Sequence, residues 1–178
     1  VAFVEDDKIV WYENTATFSF NPTWTASDIA TSASAASGVF AADMDNDGDI
    51  DILSASFADD TVAWYENNNG DGSSWTASDI TTSADGAYSV FAADIDGDGD
   101  MDILSASAND DTIAWYENLG DTDDDGILDW TAADIATSGY DPYGLFVADI
   151  DNDGDMDIIV AFIEDDTIAW YETTAIPE

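Results

Sequence analysis

Short runs of apolar and β-branched residues alternate with acidic or glycine-containing turns along the whole chain. In one complete unit these runs cover residues 90–93, 101–107, 112–117 and 130–135. The third run contains Ile113, Trp115 and Tyr116, residue types that favour extended structure. Four short strands joined as an antiparallel meander within about 52 residues have the size and pattern of one β-propeller blade.

Two sequence motifs repeat with this period. The tripeptide WYE recurs at Trp11, Trp64, Trp115 and Trp170, with spacings of 53, 51 and 55 residues, and WTASDI or WTAADI recurs at Trp24, Trp75 and Trp130. Such a period indicates a propeller, whereas a parallel solenoid coil would need a much shorter one. We therefore predict an all-β fold and a single repeat domain over residues 1–178, divided into a partial blade 1–37, blades 38–88 and 89–143, and a partial blade 144–178.

The first and last units each lack one strand of the pattern. The first begins at the second strand, at residues 1–4, and keeps runs at 8–12 and 24–29, whereas the last stops after Tyr171. The prediction is about 3.5 blades, with three, four, four and three strands. Unpaired strand edges invite pairing with another chain.

Three arrangements fit these open ends. The chain is part of a larger propeller, or a compact four-bladed ring with two thin blades, or a unit that assembles edge to edge with copies of itself. The start inside a repeat favours the first arrangement.

The tryptophans of the WYE motif are predicted to be core residues rather than platforms for a ligand. Trp and Tyr at adjacent strand positions point to opposite faces of a sheet. Both faces of a propeller blade pack against neighbouring blades, and the recurrence of both residues in every unit favours this interpretation.

A nine-residue aspartate string follows the first strand in three units. The copies are DMDNDGDID at 43–51, DIDGDGDMD at 94–102 and DIDNDGDMD at 149–157, and each obeys DxDxDGxxD. Ca²⁺ takes about six to eight oxygen ligands, which a short loop supplies from carboxylates at positions 1, 3 and 5 and a backbone carbonyl at position 7. Glycine at position 6 allows the sharp turn.

In the first copy, this pattern assigns three side-chain ligands, a carbonyl donor and a closing carboxylate, which are Asp43, Asp45, Asp47, Asp49 and Asp51 respectively. An EF-hand loop closes with Glu at position 12 and is flanked by helices. Here the closing acid is at position 9 and strand-like residues follow, so the surroundings of the loop are different.

The charge balance agrees with cation binding and excludes several kinds of partner. The sequence holds 41 acidic residues and one basic residue, Lys8, for a formal net charge of −40. Three or four Ca²⁺ ions would offset only about six to eight of these charges, so most of the acidity must lie on solvated surface. Without basic side chains to contact phosphate, no nucleic-acid partner is expected, and anionic membrane surfaces are disfavoured for the same reason.

Missing residue types narrow the function further. The sequence contains no cysteine and no histidine, which excludes disulfides, thiol nucleophiles, ordinary zinc sites and a Ser-His-Asp triad. No apolar run approaches the roughly 18 residues of a membrane span, so no membrane insertion is expected. The start at Val1, without Met or a signal peptide, favours a mature product or part of a longer protein.

The combination VFAADxDxDGDxDIL followed by TIAWYEN resembles the FG-GAP or VCBS-type repeats of integrin alpha-subunit propellers and of many secreted bacterial and algal proteins. The resemblance covers essentially the whole chain. It implies a Ca²⁺-stabilised, extracellular or cell-surface propeller with adhesion or ligand-binding functions, although it supplies no ligand-binding surface. The metal ligands that it implies are Asp43, Asp45, Asp47, Asp49 and Asp51, then Asp94, Asp96, Asp98, Asp100 and Asp102, and then Asp149, Asp151, Asp153, Asp155 and Asp157.

A fourth DxDxDGxxD string, DTDDDGILD, lies out of register at residues 121–129. It falls between the third and fourth strands of its unit, where the other units carry different loops. Its candidate ligands are Asp121, Asp123, Asp125, the carbonyl of Ile127, and Asp129. The alternative is a solvated acidic loop without a metal.

These features favour a noncatalytic, extracellular, calcium-binding module for adhesion to or recognition of a glycan or protein partner. A structural subunit of an extracellular filament or surface assembly is the alternative, with further copies of the chain as partners. A carbohydrate-active enzyme is a weaker interpretation, because the acidic residues repeat in every unit and a single active site should break the repeat. For Tyr140 and Tyr143, which do break it, packing of a loop is favoured over binding of a sugar.

Overall fold

A computed structural model describes residues 1–16 and 22–173 of the chain. In this part every regular element is a β-strand, and no helix has the length and apolar character needed to cross a membrane. The strands are β1 (Ala2–Phe3), β2 (Lys8–Asn14), β3 (Trp24–Ala30), β4 (Ala36–Ala42), β5 (Asp51–Ser56), β6 (Thr61–Asn67), β7 (Trp75–Thr81), β8 (Ala87–Ala93), β9 (Asp102–Ser107), β10 (Thr112–Asn118), β11 (Trp130–Ala136), β12 (Pro142–Ala148), β13 (Asp157–Phe162) and β14 (Thr167–Tyr171).

The strands form antiparallel sheets in which each strand pairs with its neighbour in the sequence. The first sheet contains β1–β3, the second β4–β7, the third β8–β11 and the fourth β12–β14. The predicted all-β fold is confirmed: within the described residues the chain is a partial β-propeller with three, four, four and three strands. Strands β4, β8 and β12 begin at residues 36, 87 and 142, two residues before the blade boundaries expected at 38, 89 and 144.

The first strand of the third sheet is longer than its pattern predicted. The strand expected at residues 90–93 begins at Ala87. The pairing of β8 with β9 shifts between Ala87 and Ser89, and an extra residue of this kind breaks the two-residue alternation on which the prediction relied. Strands β4 and β12 carry the same shift near their starts. The other three strands of the third sheet differ from the prediction by one residue at one end.

Successive sheets pack face against face. The same strand positions are buried at each interface between two successive sheets, which we call a joint. Ile113 of β10 is 0% exposed and belongs to a core cluster with Leu145 of the fourth sheet. Tyr116, three residues further on, faces the other way and belongs to a cluster with Trp64 of the second sheet. Because neighbouring strand positions point to opposite faces, each sheet contributes one face to the joint before it and one to the joint after it.

The outer faces of the first and fourth sheets have no such cover within the described residues. Ile168, the equivalent of Ile113 in the fourth sheet, is 77% exposed, and Tyr12 and Trp24 of the first sheet are also exposed. The prediction that the WYE tryptophans are core residues is therefore right for Trp64, which is 5% exposed, and wrong for Trp170, which is 49% exposed. The residue type is suited to burial, but burial needs a following sheet.

Aromatic rings connect the first strands of three sheets. The ring centroids of Phe40 and Phe91 are 4.3 Å apart, and those of Phe91 and Phe146 are 5.4 Å apart. Tyr88 and Tyr143 lie beside this row with centroids 3.7 Å apart. Such pairs contribute about 0.5–1.5 kcal/mol each beyond the burial of their area, so the first strands stabilise the stacking of one sheet on the next.

Replacing Ile113 with alanine should destabilise the chain by about 2–5 kcal/mol, because it opens a cavity in the joint between the third and fourth sheets. The same change at Ile168, the exposed equivalent, should alter stability by no more than about 0.5 kcal/mol. Urea unfolding of both variants in one calcium-containing buffer measures the difference. Equal losses at the two positions would show that cover by a following sheet does not distinguish them.

Candidate metal centres

Each of the three in-register aspartate strings forms the loop between the first and second strands of a sheet. The loops join β4 to β5, β8 to β9, and β12 to β13. Their backbones share one conformation, with a positive φ at position 4 and again at the glycine of position 6. In the first loop these angles are 60° at Asn46 and 94° at Gly48. The value at Gly48 is one that side chains with a Cβ rarely adopt, so the glycine is required by the turn.

Backbone N–H groups of each loop orient its carboxylates. In the first loop the N–H of Gly48 donates to Asp43 Oδ2 (3.0 Å), that of Asp47 to Asp45 Oδ1 (3.1 Å) and that of Asp49 to Asp47 Oδ1 (2.8 Å). The other two loops repeat these three bonds. The acids of positions 1, 3 and 5 are thereby held by the loop itself.

The aspartate at position 9 connects the loop to the rest of the sheet. Asp51 is 1% exposed; its Oδ2 accepts the N–H of Met44 in the loop (3.2 Å), and its Oδ1 accepts the N–H of Asn67 at the end of the third strand (2.8 Å). Asp102 and Asp157 are equally buried and make the equivalent pairs of bonds. The sequence predicted a closing carboxylate here, and in the structure this carboxylate anchors the loop to the third strand.

The loops bring carboxylate oxygens within 4.8 Å of one another in groups that could hold a metal ion. These groups are Asp43, Asp45 and Asp47; Asp94, Asp96 and Asp98; Asp121, Asp123 and Asp125; Asp149, Asp151 and Asp157; and Asp151, Asp153 and Glu172. Among the closing aspartates, Asp157 belongs to such a group in the described structure, whereas Asp51 and Asp102 do not.

The carboxylates at position 7, those of Asp49, Asp100 and Asp155, lie outside these groups in the part of the chain that the structure describes. Asp100 accepts a hydrogen bond from the side-chain amide of Asn46 (2.9 Å), which links the second loop to the first. The backbone carbonyls remain the donors predicted at this position.

The donor set fits a hard cation. Asp43 Oδ1 and Asp149 Oδ1 are buried and have no hydrogen-bond partner within the described residues. Leaving a buried carboxylate oxygen unsatisfied is unfavourable, and all donors in these loops are oxygens, as Ca²⁺ prefers. A cation bound among the aspartates of the first and third loops would satisfy these atoms, whereas in the second loop Asp94 Oδ1 accepts the N–H of Gly97 (2.7 Å).

Burial raises the pKa of several of these acids. Desolvation lifts the pKa of Asp45 and that of Asp102 from the ordinary 3.8 to about 6, and neighbouring carboxylates add to the rise. The pKa of Asp51 is raised for the same reason. The indole of Trp64 lies beside Asp51 and opposes that rise, although its N–H makes no hydrogen bond of good geometry. In the absence of a cation, these acids therefore favour the protonated state more than free aspartate does.

The glutamate of the WYE motif is a candidate ligand that the sequence prediction missed. Glu172, directly after β14, lies in a group with Asp151 and Asp153. Glu66, its equivalent in the second sheet, is close enough to Asp45 to raise the pKa of that acid. The signal was present in the sequence, because the glutamate recurs with its tryptophan in every unit, but only the pairing of strands places it beside the loop.

The fourth string, at residues 121–129, adopts the conformation of the other three. Its φ angles are 60° at Asp124 and 85° at Gly126. The N–H of Gly126 donates to Asp121 Oδ2 (2.8 Å), and Asp129 accepts the N–H of Thr122 (3.1 Å), as in the in-register loops. This loop is more exposed than the others, however, and Asp129 does not hold a third strand as Asp51 does.

The two tyrosines that interrupt the repeat have different surroundings. Tyr143 stacks on Tyr88, in agreement with a role in packing. Tyr140 is exposed, and its backbone N–H donates to Asp165 (3.3 Å).

Comparison with known protein families identifies the repeats of this chain. The sequence pattern of the FG-GAP-like repeat family matches residues 1–54, 43–105 and 102–160. These three segments together cover most of the chain and include the three in-register loops. No curated protein matches the sequence.

The metal-free chain should lose stability as the pH rises from about 4 to about 6.5. The pKa of Asp45 and that of Asp102 are about 6 in the folded chain and 3.8 ordinarily. The folded state thus binds more protons than the unfolded state across this window, and that stability is lost on ionisation. Melting curves in chelator at constant ionic strength measure the slope.

The variant Asp102→Asn is the control, because its side chain cannot ionise. In this variant the melting temperature should change less with pH, whereas general repulsion among the other acids is nearly unchanged. With calcium the trend should weaken or reverse, since the ion requires deprotonated ligands. A melting temperature in chelator that rises with pH over this range would contradict the assignment.

Proposed function

The chain belongs to the family of FG-GAP-like repeats, and on that basis we propose that it is a noncatalytic, calcium-stabilised β-propeller module that recognises a glycan or protein partner outside the cell. Repeats of this family are typical of extracellular or surface proteins and are typically noncatalytic. The partner would meet the solvated loops and sheet edges, and the metals would maintain the scaffold that presents them.

The observation that carries the calcium proposal is the buried, unpartnered oxygen of Asp43 and of Asp149. Each lies in a loop whose other carboxylates are already oriented by backbone N–H groups. A site built in this way is largely preformed, so the ion would bind without the helix movement of a calcium sensor. Its role is structural: an ion that binds only the folded state adds its binding free energy to stability.

The acidity of the chain supports an extracellular setting. Extracellular calcium modules bind with dissociation constants of about 10⁻⁴–10⁻³ M, and a net charge of −40 increases the local concentration of cations. The same charge argues against nucleic acid as a partner.

The hydrogen bonds of the loop aspartates support a noncatalytic role. The aspartates at positions 1, 3 and 5 accept the same three backbone N–H bonds in each in-register loop, which favours a shared structural role over chemistry at one copy.

The alternative, a structural subunit of an extracellular assembly, is favoured by the outer faces of the end sheets. Tyr12 and Trp24 on the first sheet and Ile168 and Trp170 on the fourth are exposed, although their equivalents at internal joints are covered wholly or in part. Exposed apolar faces of this kind mark sites of association.

Calcium should raise the melting temperature of the chain by at least about 10 °C. Free calcium a hundredfold above the dissociation constant adds about 2.7 kcal/mol per site, and each kcal/mol corresponds to about 2–4 °C at this chain length. Differential scanning calorimetry in calcium and in chelator measures the shift. If the melting temperature is the same in calcium and in chelator, the calcium proposal is wrong.

Single variants assign the sites. Asp43→Asn, Asp94→Asn and Asp149→Asn should each remove one equivalent from the calcium titration measured by calorimetry, with a lower melting temperature. Asp121→Asn is the matched variant in the exposed fourth loop and should also remove one equivalent if that loop holds an ion, with a smaller loss of stability.

Sedimentation velocity distinguishes the recognition module from the structural subunit. It is measured in about 1 mM calcium, near the dissociation constants of extracellular calcium sites. A recognition module should remain monomeric over a wide range of protein concentration, since the −40 charge opposes self-association. A distribution that shifts to larger species with concentration would favour the structural assembly instead.

A further inference from the structure

A buried side chain of the third sheet connects the first and second aspartate loops. Asn118, the last residue of β10, is 2% exposed. Its side-chain amide donates to the carbonyl of Met44 in the first loop (3.2 Å) and to the carbonyl of Met101 in the second loop (3.2 Å). Its side-chain oxygen accepts the N–H of Gly120 (3.0 Å), which fixes the orientation of the amide. One residue therefore contacts the backbones of two loops that belong to successive sheets.

These contacts also reach the closing acids of both loops. Met44 directly precedes Asp45, and its own N–H donates to Asp51, the closing acid of the first loop (3.2 Å). The backbone N–H of Asn118 donates to Asp102, the closing acid of the second loop (2.9 Å). The position of Asn118 is thus tied to the position of the carboxylates in both loops.

A second contact joins the same two loops on the solvent side. The side-chain amide of Asn46, at position 4 of the first loop, donates to Asp100 Oδ1, at position 7 of the second (2.9 Å). The backbone carbonyl of Asp100 is the metal donor predicted at that position. The first and second loops are therefore linked at one buried point and at one exposed point.

The joint between the third and fourth sheets carries different residues at both positions. Position 4 of the second loop is Gly97, which has no side chain to reach the third loop. The equivalent of Asn118 in the fourth sheet is Thr173, whose hydroxyl donates to the carbonyl of Met156 in the third loop (2.8 Å). A hydroxyl has one O–H to donate, whereas an amide has two N–H groups. Thr173 therefore cannot also donate to the second loop, as Asn118 does to the first.

We propose that Asn118 and Asn46 are positioning residues that couple calcium binding in the first and second loops, and that the third loop binds its ion independently. This inference rests on the calcium-binding role proposed above. An ion fixes the loop that it binds. An ion in the first loop would fix the carbonyl of Met44 and, through Asn118, preorganise the second loop, so the next ion would lose less conformational freedom on binding. The effect is reciprocal, because coupling between two binding sites acts equally in both directions.

Two double variants isolate the pairs of loops for the test. Asp121→Asn with Asp149→Asn leaves the first and second loops, and Asp121→Asn with Asp43→Asn leaves the second and third. Calcium titration by calorimetry at physiological salt gives a coupling factor, the factor by which one ion increases the affinity for the other. This factor should be at least about fivefold larger in the first pair. Repulsion between bound ions acts in both pairs, so the comparison separates it from the effect of the links.

A substitution at the buried link tests the role of the amide. In the first pair, Asn118→Thr introduces the residue type that the fourth sheet carries there. The hydroxyl can replace the bond to Met101 but not also the bond to Met44, so the coupling factor should fall toward that of the second pair. Asn67→Thr is the matched control, because Asn67 is the equivalent residue of the second sheet and its amide donates to Ile50 of the first loop (3.2 Å). This control should leave the coupling factor unchanged.

A substitution at the exposed link gives a second test that does not disturb the core. Asn46 has a φ of 60°, which glycine adopts without strain, so Asn46→Gly should fold normally by circular dichroism and should lower the coupling factor. Asn152→Gly makes the same change at position 4 of the third loop, where φ is 63°. It should leave the coupling of the first and second loops unchanged when introduced into the first pair.

The possible failures of the two proposals are distinguishable. Equal coupling factors in the two pairs would overturn the inference and leave calcium binding intact. The same conclusion would follow if the coupling of the first pair survived Asn118→Thr and Asn46→Gly together. If neither pair takes up calcium, the proposed function is wrong, and the coupling is wrong with it.

Discussion

The buried aspartate that closes each loop is the contact on which the rest of a blade depends. Asp51, Asp102 and Asp157 each accept one N–H from the aspartate loop and one from the end of the third strand or the residues after it. A single carboxylate thus fixes the loop relative to the sheet and sets the position of the acids at 1, 3 and 5. A buried charge in this position is costly unless it is well hydrogen-bonded, and the two N–H donors that order the loop also satisfy the buried carboxylate.

The charge of the chain has to be considered together with these loops. Its one basic side chain, Lys8, forms an exposed ion pair with Asp28 (2.9 Å), and such pairs contribute little to stability. The acids are therefore not neutralised by the protein itself. Dissolved cations must supply the compensation, and ions bound at the proposed calcium sites would provide part of it.

Much of the fold could be predicted from the sequence because its signals are local. Alternating strands, turn residues and the DxDxDG string each depend on neighbours within about ten residues, and they gave the number, order and approximate bounds of the strands. The start of β8 was missed because the shift between Ala87 and Ser89 breaks the alternation. The proximity of Glu172 to the third loop and the exposure of Trp170 were missed for a different reason: both depend on which strand or sheet lies beside them, and that is not encoded in a local pattern.

The row of Phe40, Phe91 and Phe146 has a consequence for how the molecule folds. In the described part of the chain, the main contacts of each sheet are with the sheets before and after it. The array is therefore close to one-dimensional, and its cooperativity resides in the joints rather than in a single shared core. Among the described rings of this row, Phe91 has a ring on both sides, whereas Phe146 has a ring on one side and is exposed. Order should therefore spread outward from the middle sheets, and the protection of backbone amides against hydrogen exchange should decline toward either end of the array.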